Sequence, residues 1–246
     1  MIRKITNDAR DYAWGSTNLI SDYFGIAATG DPMAEIWFGT HPASPTRVLA
    51  TNSEEQEKSL LQFRNGEPLP FLLKILAADH PLSIQAHPNR QQAQQGFARE
   101  NAAGIPLDST ERDYRDDHHK PEVIVALTPF KALVGFRPTV DIVVAFQRLA
   151  LQAQQLELNQ LEDALTQYIQ VLRTSGVDQL FSVLLDSRGN LDQVTDQLAQ
   201  LAKVSGSIDN IESQNLALVP SLQQHYPGDP GILITQLMNF VELSPM

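Results

Sequence analysis

Apolar positions change their spacing once along this 246-residue chain, near Pro138. Up to that point they come in short runs bounded by turn formers: Ala34–Gly39, Phe71–Ala77, Leu82–Ala86, Val123–Leu127 and Ala132–Phe136. Runs of this kind predict strands joined by loops. Asn89–Asn101, just after Pro88, is predicted as a helix, although Gly96 weakens it. Beyond Pro138 the period becomes helical. Ile142, Phe146, Leu149, Ala153 and Leu156 recur at steps of three and four, as do Leu161, Leu165, Tyr168, Ile169 and Leu172. Gly176 is expected to stop the second of these helices after Arg173. Val177–Asp186, Asn190–Val204 and Asp209–His225 predict three more, and residues 139–219 contain no proline. A turn-rich PGDPG from Pro227 hands over to Ile232–Leu243, which reads as strand again.

Charge and composition narrow the function. Eighteen Lys and Arg face 29 Asp and Glu, a net charge of −11. Phosphate neutralisation by a basic face is what holds proteins on nucleic acid, so no nucleic-acid partner is expected. The acidity is uneven: residues 1–137 carry 14 cations against 17 acids, residues 138–246 only four against 12. The β-rich part is therefore nearly neutral. With no cysteine, disulfides, thiolate catalysis and Cys-ligated zinc are excluded, and any metal must be held by nitrogen and oxygen. No apolar run approaches the roughly 18 residues of a membrane span, and the N-terminus has no apolar signal core. A cytoplasmic protein without a membrane partner is the expectation.

Two clusters carry candidate chemistry. In Ser83-Ile84-Gln85-Ala86-His87-Pro88, a strand would put Ser83, Gln85 and His87 on one face and Ile84 and Ala86 on the other. Gln85 and His87 could then grip a metal through amide oxygen and imidazole nitrogen. A half-buried strand with a solvated polar face fits the same spacing. The second cluster runs from Arg112 to Glu122 (RDYRDDHHKPE). Pro121 keeps Lys120 out of the helical region, so Lys120 and Glu122 are expected in extended chain on a shared face. Glu122 suits a hard oxygen ligand, and Lys120 a phosphate anchor or proton carrier; a plain charged loop is the alternative. His41 and His80 precede prolines in surface turns, and His225 ends a helix, where a cation suits the dipole. Neither standard glycine-rich phosphate loop nor GxSxG occurs, so nucleotide binding and serine hydrolysis have no foothold.

At these clusters the chain resembles the type I phosphomannose isomerases, zinc enzymes of the cupin superfamily. The matching stretches are YAWGS (Tyr12–Ser16), AEIWFGTHP (Ala34–Pro42), LPFLLKIL (Leu69–Leu76), PLSIQAHP (Pro81–Pro88), GFARENAAGIP (Gly96–Pro106) and HKPEVIVALTPF (His119–Phe130). The resemblance implies a mainly β cupin or jelly-roll core with an inserted all-α helical domain, α+β overall. Residues 1–137 would be the β-rich part, 138–231 the insertion and 232–246 a return strand. It implies interconversion of mannose 6-phosphate and fructose 6-phosphate through a cis-enediolate. It also implies one Zn2+ per chain on Gln85, His87 and Glu122, Lys120 as a catalytic group, and Lys74 and Ser83 as contacts of the hexose 6-phosphate. The family's fourth zinc ligand, a histidine, and its catalytic arginine follow the segment that opens here as LMNFVELSP. The resemblance is therefore to an N-terminal portion, expected to be incomplete for activity. The expected oligomeric state is a monomer or a weak homo-oligomer. A cupin-like protein that holds metal or sugar without chemistry is the alternative.

Overall fold

The computed structural model describes residues 2–52, 55–187, 189–204 and 211–246. They form a mixed α+β fold divided into two compact units, Met1–Leu82 and Ser83–Met246.

The first unit runs β1 (Ile5–Thr6), β2 (Ala9–Arg10), α1 (Leu19–Phe24), β3 (Glu35–Phe38), β4 (Arg47–Val48), β5 (Lys58–Ser59), α2 (Leu60–Phe63) and β6 (Leu73–Leu76). The strands form two antiparallel three-stranded sheets, in the orders β1-β4-β5 and β2-β3-β6. β3 is the central strand of the second sheet, and its alternation separates two environments. Ile36 packs into a small core with Ile20 of α1 and Ala77. Glu35 and Trp37, two apart, share the other face, and register sets Lys74 opposite Trp37.

The second unit contains α3 (Arg90–Ala102), β7 (Phe130–Phe136), α4 (Thr139–Gln155), α5 (Asn159–Asp186), α6 (Asp192–Val204), α7 (Ile211–His225), α8 (Gly231–Ile234), a 3-10 turn at Thr235–Leu237 and β8 (Met238–Leu243). α4 to α7 lie where the three-and-four spacing predicts helix; the start expected at Asp209 falls outside the described residues. Ile142, Phe146, Leu161, Leu165, Leu198, Leu201 and Val219 interlock as one buried core. α5 breaks at Gly176, whose φ of 83° is left-handed and strains any residue bearing a Cβ. β7 and β8 pair antiparallel with a bulge between Val134 and Phe136. Asn239 Nδ2 closes that bulge, donating to the carbonyls of Val134 (3.1 Å) and Phe136 (3.0 Å). The strands on either side of the helices thus close on each other.

Three sequence expectations differ. Leu82–Ala86 and Val123–Leu127 belong to no ladder among the described residues. Ile84 is 42% and Val123 91% exposed. Apolar, β-branched content makes a segment suitable for a sheet, but only a hydrogen-bonded neighbour makes it a strand. Ile232–Ile234 forms a helical turn, so the strand begins only at Met238. Ile232, Leu233, Ile234 and Leu237 are all buried, and an apolar run buried all round has no period to separate helix from strand.

Candidate metal centre

The segment holding Gln85 and His87 leads straight into α3, whose start is fixed by reciprocal capping. Asn89 Oδ1 accepts from the Gln92 N–H, and Gln92 Oε1 accepts from the Asn89 N–H, both at 2.9 Å. Past the end of α3 the chain turns and comes back to His87 with the HKPE segment. There the Lys120 carbonyl lies 3.0 Å from His87 Nδ1. A carbonyl only accepts, so Nδ1 carries the hydrogen, and in the neutral ring Nε2 keeps the lone pair. That Nε2 lies 3.5 Å from Glu122 Oε2.

This separation tests whether a zinc ion fits. It is long for a charge-assisted hydrogen bond, which spans about 2.7–2.9 Å. It is close to the edge, about 3.4 Å, of a tetrahedron built on zinc bonds of about 2.0–2.1 Å. The pair is thus spaced as two donors to one small cation. A backbone carbonyl on the remote imidazole nitrogen is also the usual way to orient a metal-binding histidine. Among the described residues no three His, Cys, Asp or Glu gather, so a third donor beside His87 and Glu122 is of another type. Gln85 lines, with His87 and Lys120, a cavity of about 330 Å3 whose other walls include Tyr114, Asp116 and His118. The spacing and chemistry of His87 and Glu122 suit zinc.

Lys120 and Glu122 do not face each other as their spacing predicts. Glu122 turns to His87, and Lys120 Nζ pairs with Asp116 Oδ2 at 2.6 Å. Burial pushes the Asp116 carboxyl up, but hydrogen bonds from Lys120 Nζ and the His118 N–H outweigh it and leave the group below its ordinary value. Ser83 and Gln85 are exposed, as is Ala86, so the expected split into polar and core faces is absent. Without a covering ladder, neither side of the segment is enclosed.

Lys74 belongs to the first unit. Its Nζ lies 4.5 Å from the centre of the Trp37 ring and 3.7 Å from Glu35 Oε2. The same oxygen accepts the Trp37 indole N–H at 2.6 Å. The sequence reading gives no individual role to Glu35, Asp116 or the buried Glu100–Arg112 pair. Two left a signal: Glu35 is an acid inside an apolar run, and Asp116 stands four residues before Lys120.

The family model for the catalytic domain of type I phosphomannose isomerase matches residues 2–139, a stretch containing Lys74, Ser83, Gln85, His87, Lys120 and Glu122. The chain belongs to the type I phosphomannose isomerases. A mannose-6-phosphate isomerase of Salmonella typhimurium is 36% identical over 99% of this chain. The human mannose-6-phosphate isomerase is 30% identical over 96%. A crystal structure of the Salmonella enzyme bound to fructose 6-phosphate and zinc superposes with a TM-score of 0.80 at 34% identity, covering 99% of this chain and 61% of that one. The chain spans 62% of the Salmonella relative's length and 59% of the human one's.

Proposed function

We propose that this chain carries the zinc-holding part of a mannose-6-phosphate isomerase, which interconverts mannose 6-phosphate and fructose 6-phosphate. The observation that carries the reading is His87 Nε2 set 3.5 Å from Glu122 Oε2, with Nδ1 tied to the Lys120 carbonyl. The zinc-bound and sugar-phosphate-bound relative supports it. Gln85, His87 and Glu122 would hold one zinc ion, which supplies polarisation and orientation of the sugar oxygens.

The remaining roles fall to the protein's own groups. Isomerisation moves a proton between C2 and C1 of the open-chain sugar and gathers negative charge on oxygen. Lys120 Nζ stands at the cavity wall with one N–H held by Asp116; its other N–H donors are assigned the proton exchange with sugar oxygen during ring opening or enediolate formation. Ser83 is assigned to the phosphate. The family resemblance also assigns Lys74 to the phosphate; within its own unit its charge lies beside Glu35 and the face of Trp37.

The same reading places the helical segment, 138–231, as an insertion within the β-rich core formed by 1–137 and 232–246; the pairing of β7 with β8 across those helices supports it. It also assigns a cytoplasmic monomer or weak homo-oligomer with no nucleic-acid or membrane partner. No helix among the described residues is long and apolar enough to cross a membrane.

The test is metal content and turnover together. Metal-stripped protein should take up one equivalent of zinc per chain, measured by calorimetry. The zinc-loaded 246-residue chain should show little or no turnover of mannose 6-phosphate, whereas turnover by a longer protein carrying this stretch should disappear on chelation or in Glu122→Ala. Failure of the 246-residue chain to bind zinc, or turnover indifferent to chelator, would overturn the proposal.

A further inference from the structure

Glu122 is 62% exposed at its side chain, and Lys120 and Glu122 lie on a stretch with no regular secondary structure. What fixes such a stretch to within the tolerance of a metal site is a separate question from which atoms bind. The firmest contact of this stretch lies at its start. The Arg112 side chain is 1% and the Glu100 side chain 7% exposed. Arg112 Nε donates to the Tyr114 carbonyl (2.7 Å), Nη1 to the Ile105 carbonyl (2.5 Å) and Nη2 to Asn101 Oδ1 (2.7 Å). Glu100 Oε2 lies 3.7 Å from Arg112 Nε and accepts the Tyr114 N–H at 2.9 Å. The guanidinium lies over the Phe97 ring, and the Tyr114 ring packs so closely on Gly96 that a Cβ there would come within 2.6 Å of it.

We infer that Arg112 and Glu100 are positioning residues of the metal centre: they clamp the loop carrying Lys120 and Glu122 to the C-terminal end of α3, whose N-terminal end carries His87. The helix is a stiff rod of about 20 Å, at 1.5 Å per residue. The loop runs back along it, held at one end by Arg112 and at the other by the His87–Lys120 hydrogen bond. With both ends fixed, Glu122 is delivered to His87 without needing a sheet of its own. A buried ion pair is a costly means of plain stability; its five-donor planar fork is suited to fixing three chain segments in one geometry. The inference rests on the metal-centre reading.

Co2+ alone, titrated into the metal-free 246-residue chain and followed by its visible absorption, separates the two ideas. Arg112→Lys keeps the charge but cannot reach the three acceptors together. Arg112→Met combined with Glu100→Gln removes both charges and leaves neither unpaired. Both variants, checked for retained helix by circular dichroism, should bind Co2+ about 10–100-fold more weakly, the usual cost of losing a partner behind the ligands, with an altered ligand-field spectrum. Leu198→Ala, a destabilising change in the helical core, should leave affinity and spectrum as in the parent. Folded clamp variants with parental affinity and spectrum would overturn the inference. So would an equal loss in Leu198→Ala, or unfolding of both clamp variants, each of which marks a purely structural role. A parent chain that binds no Co2+, or binds it equally well as Glu122→Ala, would overturn the metal-centre reading itself.

Discussion

Two parts of the second unit handle apolar residues in opposite ways. Between Thr139 and Ile234, the helices close on a core in which Phe146 is 1% and Leu161 0% exposed. In the stretch that follows Glu122, a proposed metal donor, Val123 is 91%, Val125 51% and Leu127 53% exposed. The sequences are comparably apolar, so the difference lies in backbone bookkeeping. A helix satisfies its own N–H and C=O groups and needs only one apolar stripe against a neighbour. An extended segment satisfies them only through another strand. The donor stretch is organised instead by side chains: the Asn89 cap, the Arg112 fork, and the imidazole of His87 on the Lys120 carbonyl. Rigid helical packing and a side-chain-fastened loop therefore coexist in one unit, and mutations should sort between them.

The largest effect belongs to the core. Phe146→Ala should cost about 3–5 kcal/mol of stability, through lost burial plus the cavity left behind, measured by urea unfolding. Its Co2+ affinity in the folded state should be unchanged, because no donor moves. Weakened metal binding in folded Phe146→Ala would join the two parts the comparison separates. Next comes the donor set. Removing a ligand outright must exceed the roughly 10–100-fold loss caused by removing its supporting partner. Glu122→Ala should therefore lose metal by more than 100-fold, and Gln85→Ala by less than Glu122→Ala, since a carboxylate brings charge and an amide only a dipole. Calorimetric titration with zinc would show the order; the reverse order would assign the dominant donor to Gln85.

The same contrast explains what could be read in advance. Helical spacing is local, so α4, α5, α6 and α7 were legible from leucine and isoleucine steps, and Gly176 marked the break. β3, β6 and β7 were legible too, because their runs have partners to pair with. Leu82–Ala86 and Val123–Leu127 have the same composition but no ladder, which composition cannot reveal. The pattern at α8 reads as strand because burial all round erases the period. At the site, Asp116 and Lys120 are four apart and could have been paired on spacing alone. Glu100 and Arg112 meet only because the chain turns after Ala102, a tertiary fact that neither residue announces.

A smaller effect concerns the Asp116–Lys120 pair. Side-chain exposures of 42% and 50% discount its electrostatics heavily, so Asp116→Asn should cost about 0.2–1 kcal/mol near neutral pH. The sign with pH follows from the direction of the shift. The folded carboxyl titrates below its ordinary value of 3.8, so its contribution is complete above that value and fades as pH falls through the lower, folded one. Parent and Asp116→Asn should thus differ at about pH 7 and converge as the pH falls through the folded value. A gap that persists in acid would show that the asparagine acts through packing rather than charge.

The smallest expected effect is the sharpest test of the contrast. Truncating a buried isoleucine such as Ile142 to alanine costs about 2–5 kcal/mol, because it opens a cavity in a core that cannot collapse. Val123 has no such surroundings. At 91% exposure its methyl groups already face water, so Val123→Ala removes almost no burial and leaves no cavity. Its cost should stay within about 0.5 kcal/mol, the range of surface substitutions, and should not vary with protein concentration. Paired unfolding curves at two concentrations provide the check. A loss above about 1 kcal/mol would mean that the Val123–Leu127 run is covered in solution. A loss that grows with concentration would identify the cover as a second copy of the chain, since only association couples stability to concentration. The exposed apolar edge would then be a docking strand, and the division between a self-sufficient helical core and a loop held by its side chains would fail.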